Sequence, residues 1–134
     1  MKKRILLVDD DRSLLALFEE ALAAPDREFD TAHEQRTAEE LAGRKRYDLV
    51  ISDVFLPDTK AFALVDFLKA AHLDYRVILV SGYFHEAVLS PAGSEAVAGD
   101  SVLMLAERKG VFACLPKPLG LDTLRSTVNA ALEA

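Results

Sequence analysis

The sequence lacks several features that would mark a secreted, membrane or nucleic-acid-binding protein. Cys114 is the only cysteine, so an intrachain disulfide is impossible. The apolar run from Ile5 to Val8 is too short for a signal peptide or a membrane span. The 16 basic residues are outnumbered by 22 acidic ones and form no stripe that could follow nucleic-acid phosphates. We therefore expect a cytoplasmic protein that binds neither a membrane nor a nucleic acid directly.

What is present is the composition of one globular domain. A chain of 134 residues suits a single hydrophobic core. Hydrophobic residues make up 51% and charged residues 28%, a balance typical of folded rather than disordered chains. We expect a single domain over residues 1–134, since no repeat or low-complexity tract interrupts it.

Five short segments have the patterns of β-strands. Four of them are apolar runs without alternation, which is typical of strands buried on both faces. These runs are Ile5 to Val8, Leu49 to Ile51, Val77 to Val80 and Val111 to Leu115. The segment from Glu28 to Ala32 alternates polar and apolar residues, which predicts an edge strand.

Segments with helical periodicity separate these strands. Apolar positions recur at helical spacing in three of them: Leu14, Leu17, Phe18, Ala21 and Leu22; Leu64, Phe67, Leu68 and Ala71; Leu121, Leu124, Val128 and Ala131. Thr37 and Glu40 form a capping-box pattern that predicts the start of the second helix. A fourth helix is predicted from about Ser101 to Lys109 and should end at Gly110.

The alternation of strands and helices predicts a doubly wound α/β fold with a parallel sheet, because parallel neighbours need a crossover of helical length. One connection is unusual. The segment from His85 to Asp100 is long for a link between a strand and a helix, and its sequence is compatible either with an extra helical turn or with a mobile loop.

Polar residues follow four of the predicted strands. They are Asp9, Asp10 and Asp11 after the first, Asp53 after the third, Ser81 after the fourth and Lys117 after the fifth. Because the carboxyl ends of parallel strands meet at one edge, we expect these side chains to converge. Clustered carboxylates repel one another, so they require a counter-charge. Lys117 supplies one, and Mg²⁺ is the expected ion to supply the rest in a phosphoryl-transfer site.

Four motifs in this order resemble those of the receiver domains of two-component response regulators. They are Leu6-Leu7-Val8-Asp9-Asp10, Ile51-Ser52-Asp53-Val54-Phe55-Leu56-Pro57, Leu79-Val80-Ser81-Gly82 and Leu115-Pro116-Lys117-Pro118. The resemblance covers nearly the whole chain. It implies a flavodoxin-like sheet of strand order 2-1-3-4-5. It also implies a phosphorelay switch rather than an enzyme, since such a domain catalyses only its own phosphorylation and dephosphorylation.

The resemblance assigns the acceptor and the metal ligands. Asp53 is implied as the phosphoacceptor and as a ligand of Mg²⁺. Asp10 is implied as a direct metal ligand and Asp9 as a ligand acting through water. The backbone carbonyl of Phe55 would complete the metal ligands that the protein provides.

The resemblance also assigns the remaining site residues and the partners. Ser81 would bind the phosphoryl group, and Lys117 would pair first with Asp53 and then with the phosphate. The bond between Lys117 and Pro118 is expected to be cis. The donor is expected to be a histidine kinase or a phosphotransfer protein. The output partner is unidentified, with a homodimer as one form of output.

Three departures from the family pattern affect the switch rather than the acceptor. Ala61 stands where the family often has glycine, which restricts the turn there. Cys114 stands where the family usually has an aromatic switch residue, so no ring can flip at that position. The segment from His85 to Asp100 lengthens the connection before the fourth helix. These differences predict an uncommon partner surface.

Two alternative functions compete with the switch. The run from Asp9 to Leu14 loosely resembles the aspartate loop of haloacid-dehalogenase-like phosphohydrolases, in which Asp9 would be the nucleophile and Asp11 the acid. The later acidic pair of that family is missing, and Asp11 is better explained as a helix cap. The second alternative is a receiver-shaped interaction module that is never phosphorylated, which Cys114 and Ala61 favour.

Overall fold

A computed structural model describes residues 2–57, 59–82 and 101–134. The predicted long connection from His85 to Asp100 lies outside the described residues. Strands and helices alternate along the described chain: β1 (Lys3–Val8), α1 (Arg12–Leu22), β2 (Arg27–Ala32), α2 (Gln35–Arg44), β3 (Leu49–Asp53), α3 (Ala63–Ala70), β4 (Arg76–Ser81), α4 (Val102–Arg108), β5 (Ala113–Pro116) and α5 (Leu121–Glu133).

The five strands form one parallel sheet in the order β2-β1-β3-β4-β5. This confirms the predicted fold class and strand order. The pairing registers place Val8 opposite Ser52, Asp53 opposite Val80 and Ser81 opposite Pro116. The carboxyl ends of β1, β3, β4 and β5 therefore lie side by side at one edge of the sheet.

The sheet is buried on both faces by two apolar layers. Ile5 and Leu7 of β1 pack with α1 and α5 on one face, where Phe18 and Leu124 are buried. Leu6 and Val8 of the same strand point to the other face, and that layer contains buried residues of α2, α3 and α4. Alternate residues of one strand serve different layers, which explains why the strands are apolar without alternation.

Three local predictions are wrong. Thr37 lies inside α2, which begins at Gln35 after its N-cap Glu34, so the capping-box pattern placed the start too late. Leu17 is 45% exposed, and the buried face of α1 contains Leu15 instead. Val111 precedes β5, which begins at Ala113.

The sequence predicted a restricted backbone at Ala61, in the turn before α3. The left-handed backbone conformation occurs at the next residue, Phe62, whose φ is 65°. For a residue with a Cβ atom this conformation costs about 1–2 kcal/mol. Burial of the ring, which is 4% exposed, and a 3.0 Å hydrogen bond from its amide to the carbonyl of Val54 offset that cost.

Gly110 and Gly43 offer a matched pair of alanine substitutions. Gly110 has a φ of +75° at the end of α4, whereas Gly43 lies within α2, and an added Cβ meets nothing within 4 Å at either position. We expect Gly110→Ala to lower the free energy of unfolding by about 1 kcal/mol, because only the backbone is strained. We expect Gly43→Ala to raise it by about 0.5–1 kcal/mol, because alanine favours helix. Urea unfolding of both variants measures this, and changes of the same sign would contradict it.

Candidate functional site

Three carboxylates meet at the carboxyl edge of the sheet. Asp9 and Asp10 directly follow β1, and Asp53 is the last residue of β3. Because these two strands are neighbours, one oxygen from each of the three side chains lies within 4.8 Å of the others. Asp9 is 2% exposed, whereas Asp10 is exposed to solvent. The cluster therefore has a buried side and an open side.

Lys117 reaches this cluster from the end of β5. Its Nζ donates to Oδ2 of Asp9 at 2.8 Å and to Oδ2 of Asp53 at 2.9 Å. Its backbone amide donates to the carbonyl of Ser81 at 2.9 Å, and its bond to Pro118 is cis, as the resemblance implied. The lysine is thus held at its backbone and at its charged end, so its ammonium has a fixed position between two carboxylates.

The other oxygens of the two buried carboxylates accept hydrogen bonds from nearby amides. Oδ1 of Asp9 accepts from the amide of Asp11 at 2.9 Å, and Oδ1 of Asp53 accepts from the amide of Phe55 at 3.0 Å. These two donors were not predicted from the sequence. The sequence contained a signal for both bonds, because an aspartate carboxylate commonly accepts a hydrogen bond from the amide two residues onward. Each carboxylate is fixed through both of its oxygens.

Burial and hydrogen bonding shift the pKa values of Asp53 and Lys117 in opposite directions. Burial raises the pKa of Asp53 above its ordinary value, although the hydrogen bonds from Lys117 and Phe55 lower it. For Lys117, burial lowers the pKa, but hydrogen bonds to Asp9 and Asp53 outweigh that effect and raise it. Lys117 is therefore charged at neutral pH.

The charges supplied by the protein do not balance. Among the described residues, Lys117 is the only cation that forms an ion pair with Asp9 or Asp53, and Asp10 forms none. The cluster thus has three carboxylates and one ammonium, which pairs with two of them. Carboxylate oxygens are the ligands that Mg²⁺ prefers, and the exposed side of the cluster leaves room for the waters that this ion retains. The donor set fits a hard divalent cation.

Ser81 and Phe55 lie next to this cluster. Ser81 ends β4, the neighbour of β3, and is fully buried, with Val80 paired to Asp53. Phe55 follows two residues after Asp53 and packs partly against the apolar layer of α2, α3 and α4. The structure thus gathers all the predicted site residues at one edge: Asp9, Asp10, Asp53, Phe55, Ser81 and Lys117.

Asp11 does not join the cluster with its carboxylate. Its Oδ1 accepts from the amide of Leu14 at 3.0 Å, and it caps the N-terminus of α1. This is the cap role that the sequence predicted. To act as the acid of the phosphohydrolase alternative, Asp11 would have to break its hydrogen bond with the amide of Leu14.

A half-buried thiol occupies the position at which the resemblance implies an aromatic switch residue. Cys114 lies on β5 opposite Leu79 and packs against the layer that contains Val102 and Ala106 of α4. Burial, with a smaller effect of the charge of Glu107, raises the pKa of this thiol to about 11. The side chain is a small apolar group at neutral pH.

Comparison with known proteins agrees with this geometry. A family model described as "Response regulator receiver domain" matches residues 5–103. The DNA-binding transcriptional regulator NtrC of Azospirillum brasilense is 31% identical over 130 residues, which cover 97% of this chain and 24% of that protein. The response regulator protein PilR of Pseudomonas aeruginosa is 29% identical and covers 98% of this chain. The chain spans about a quarter of the length of these curated relatives.

Solved structures share the fold at lower sequence identity. The signal receiver domain of a putative Luxo repressor protein from Vibrio parahaemolyticus has a TM-score of 0.81 and 22% identity, with 99% of this chain and 92% of that chain covered. The BeF3-activated DrrB receiver domain has a TM-score of 0.76 and 22% identity, with both chains covered completely. These likenesses support the fold.

The raised pKa of Cys114 predicts a slow reaction with alkylating reagents. Only the thiolate reacts, and a pKa of about 11 leaves a very small thiolate fraction near neutral pH. At about pH 8 we expect iodoacetamide to modify the folded protein at least about a hundredfold more slowly than the protein in guanidinium chloride. The rate should rise as the pH approaches the thiol's pKa. Equal rates for the folded and unfolded chains would show that burial does not protect the thiol.

Proposed function

Because the chain belongs to the response regulator receiver domain family of two-component systems, we propose that it is a phosphorelay switch in which Asp53 accepts a phosphoryl group. The ammonium of Lys117, held between Asp9 and Asp53, is the observation that carries the proposal. It places a fixed positive charge beside the carboxylate that would be phosphorylated. Residues 1–134 act in this proposal as a single receiver domain.

The reaction transfers a phosphoryl group from a phosphohistidine to a carboxylate. A carboxylate oxygen of Asp53 forms a bond to phosphorus, while the bond between phosphorus and the donor's imidazole nitrogen breaks. The imidazole leaves with the electron pair of that bond and takes up a proton. Lys117 offsets the negative charge of the phosphoryl group, and the hydroxyl of Ser81 donates a hydrogen bond to one of its oxygens.

A divalent cation belongs to this proposal because three carboxylates lie together and Lys117 pairs with only two of them. Mg²⁺ would be held by Asp10 and Asp53 directly, by Asp9 through water, and by the backbone carbonyl of Phe55. When bound, it supplies positive charge to the phosphoryl oxygens during transfer. The chain's own contribution is to hold the carboxylates in place through the amides of Asp11 and Phe55.

The partners in this proposal are proteins. The donor is a histidine kinase or a phosphotransfer protein, and the output is an unidentified protein or a second copy of this chain. Direct nucleic-acid binding is not part of the proposal; DNA binding is named for relatives of which the chain spans about a quarter. We place the switch in the cytoplasm. Within the described part of the chain, no helix has the length and apolarity needed to span a membrane.

Replacing Asp53 should abolish phosphorylation. We expect the unmodified protein to gain the mass of one phosphoryl group from acetyl phosphate and Mg²⁺, and Asp53→Asn to gain none, because the nucleophile is lost. Asp11→Asn is the matched control and should be labelled normally, since it keeps the backbone amide that bonds Asp9 and changes only the side chain that caps α1. Intact-mass spectrometry measures this. A label that persists on Asp53→Asn or moves to Asp9 would favour a phosphohydrolase, and an unlabelled wild type would favour the interaction module.

Mg²⁺ should stabilise the folded protein through Asp10. Ligand binding to the native state alone raises its stability, and we expect about 1–3 kcal/mol at saturating Mg²⁺ in the unfolding free energy. Asp10→Asn should lose most of this gain, whereas Asp11→Asn should retain it. Urea unfolding with MgCl₂ and with NaCl at matched ionic strength tests this. A gain that NaCl reproduces, or that Asp10→Asn keeps, would rule out a site-bound ion.

A further inference from the structure

We propose that the acceptor site is coupled to the C-terminal end of α4 through Phe62 and Lys109, and that this link acts where the family uses an aromatic residue on β5. The inference rests on the proposed function, because phosphorylation of Asp53 is the event that the link transmits. The sequence contained no indication of a functional role for Phe62 or Lys109. The described contacts form a continuous chain from one end to the other.

The first part of the link connects Asp53 to Phe62. Oδ1 of Asp53 is bonded by the amide of Phe55, so the acceptor carboxylate is tied to the loop that follows it. Within that loop, the carbonyl of Val54 accepts from the amide of Phe62 at 3.0 Å, while the amide of Val54 donates to Val80 of β4. The start of α3 is thus bonded to the residue next to the acceptor.

The second part connects Phe62 to α4. The Nζ of Lys109 lies 5.3 Å from the centroid of the Phe62 ring and 2.8 Å from Oδ1 of Asp66. Asp66 is itself bonded to Phe62 through its backbone amide at 3.0 Å. Lys109 is the C-cap of α4, so a cation–π contact and an ion pair join the end of this helix to the start of α3.

The backbone of Phe62 provides the element that can change. Its left-handed conformation is unfavourable for a residue with a side chain and persists only because its surroundings hold it. Those surroundings include the hydrogen bond to Val54 and the cation above the ring. A shift of the loop when Asp53 is modified alters the first restraint, and relaxation of Phe62 would remove the ring from Lys109.

The apolar layer around Phe62 also extends to α4. Val54 and Phe62 belong to the same buried apolar layer as Val102 and Ala106 of α4. Cys114 also contacts this layer from β5, but a thiol offers no ring that could exchange positions. The ion pair between Lys109 and Asp66 is a polar contact between the end of α4 and the first turn of α3.

The test removes the charge of Lys109 and follows the amides at the end of α4. The amides of Lys109, Gly110 and Val111 are hydrogen-bonded to carbonyls of α4, so their hydrogen exchange reports on that end of the helix. In the wild type, phosphorylation by acetyl phosphate and Mg²⁺ should change their exchange rates by about fivefold or more. In Lys109→Met, which keeps an apolar stem, the change should fall below about twofold at the same extent of phosphorylation.

Three further variants make the result specific. Lys109→Arg keeps the cation and should restore the response, and Asp66→Asn should weaken it by removing the ion pair alone. Arg36→Gln breaks an exposed ion pair with Glu40 on α2 and should leave the response unchanged. A purely structural role of Lys109 would lower stability without changing the response to phosphorylation.

The outcomes separate this inference from the proposed function. If intact mass shows no phosphorylation of the wild type, the proposed function fails and the link has nothing to transmit. If Asp53 is phosphorylated but Lys109→Met responds like the wild type, the proposed function stands and the link is wrong. Unchanged amides at the end of α4 in the phosphorylated wild type would also overturn the link.

Discussion

Repulsion among carboxylates at one edge of the sheet is the constraint on which the rest of the site depends. Asp9 and Asp53 approach closely because β1 and β3 are paired, and their charges are tolerated because Lys117 bonds both. The lysine comes from the end of β5, two strands away from β3, so β1, β3, β4 and β5 must be assembled before its charge can offset the cluster. The chemistry of the site therefore depends on the assembly of these four strands.

The fold was largely predictable because burial on both faces leaves a simple signature in a strand. The apolar runs at β1, β3 and β4 follow from two apolar layers that each take alternate residues. The convergence of Asp9, Asp53 and Lys117 was predictable for a related reason, since parallel strands end at a common edge. Neither prediction required knowledge of side-chain packing.

The features that were missed depend on packing that no local pattern contains. Thr37 and Glu40 fit a capping box, yet the helix begins earlier, and Gln35 in its first turn is buried. Leu17 fits the apolar stripe of α1, but Leu15 faces the core instead. Ala61 predicts a restricted turn, whereas the left-handed conformation at Phe62 is sustained by burial of its ring among residues distant in sequence. Tertiary contacts outweigh local preference in each case.

The two apolar layers lie on opposite faces of the sheet and contact different parts of the chain. The loop after Asp53 contributes Val54, Leu56 and Phe62 to the layer of α2, α3 and α4, and none of its described residues belongs to the layer of α1 and α5. The hydrogen-bonded sheet lies between that layer and the layer of α1 and α5. The described buried residues of the loop after the acceptor therefore pack against one of the two layers. A change in the position of this loop would reach α2, α3 and α4 by direct packing and α1 and α5 only through the sheet.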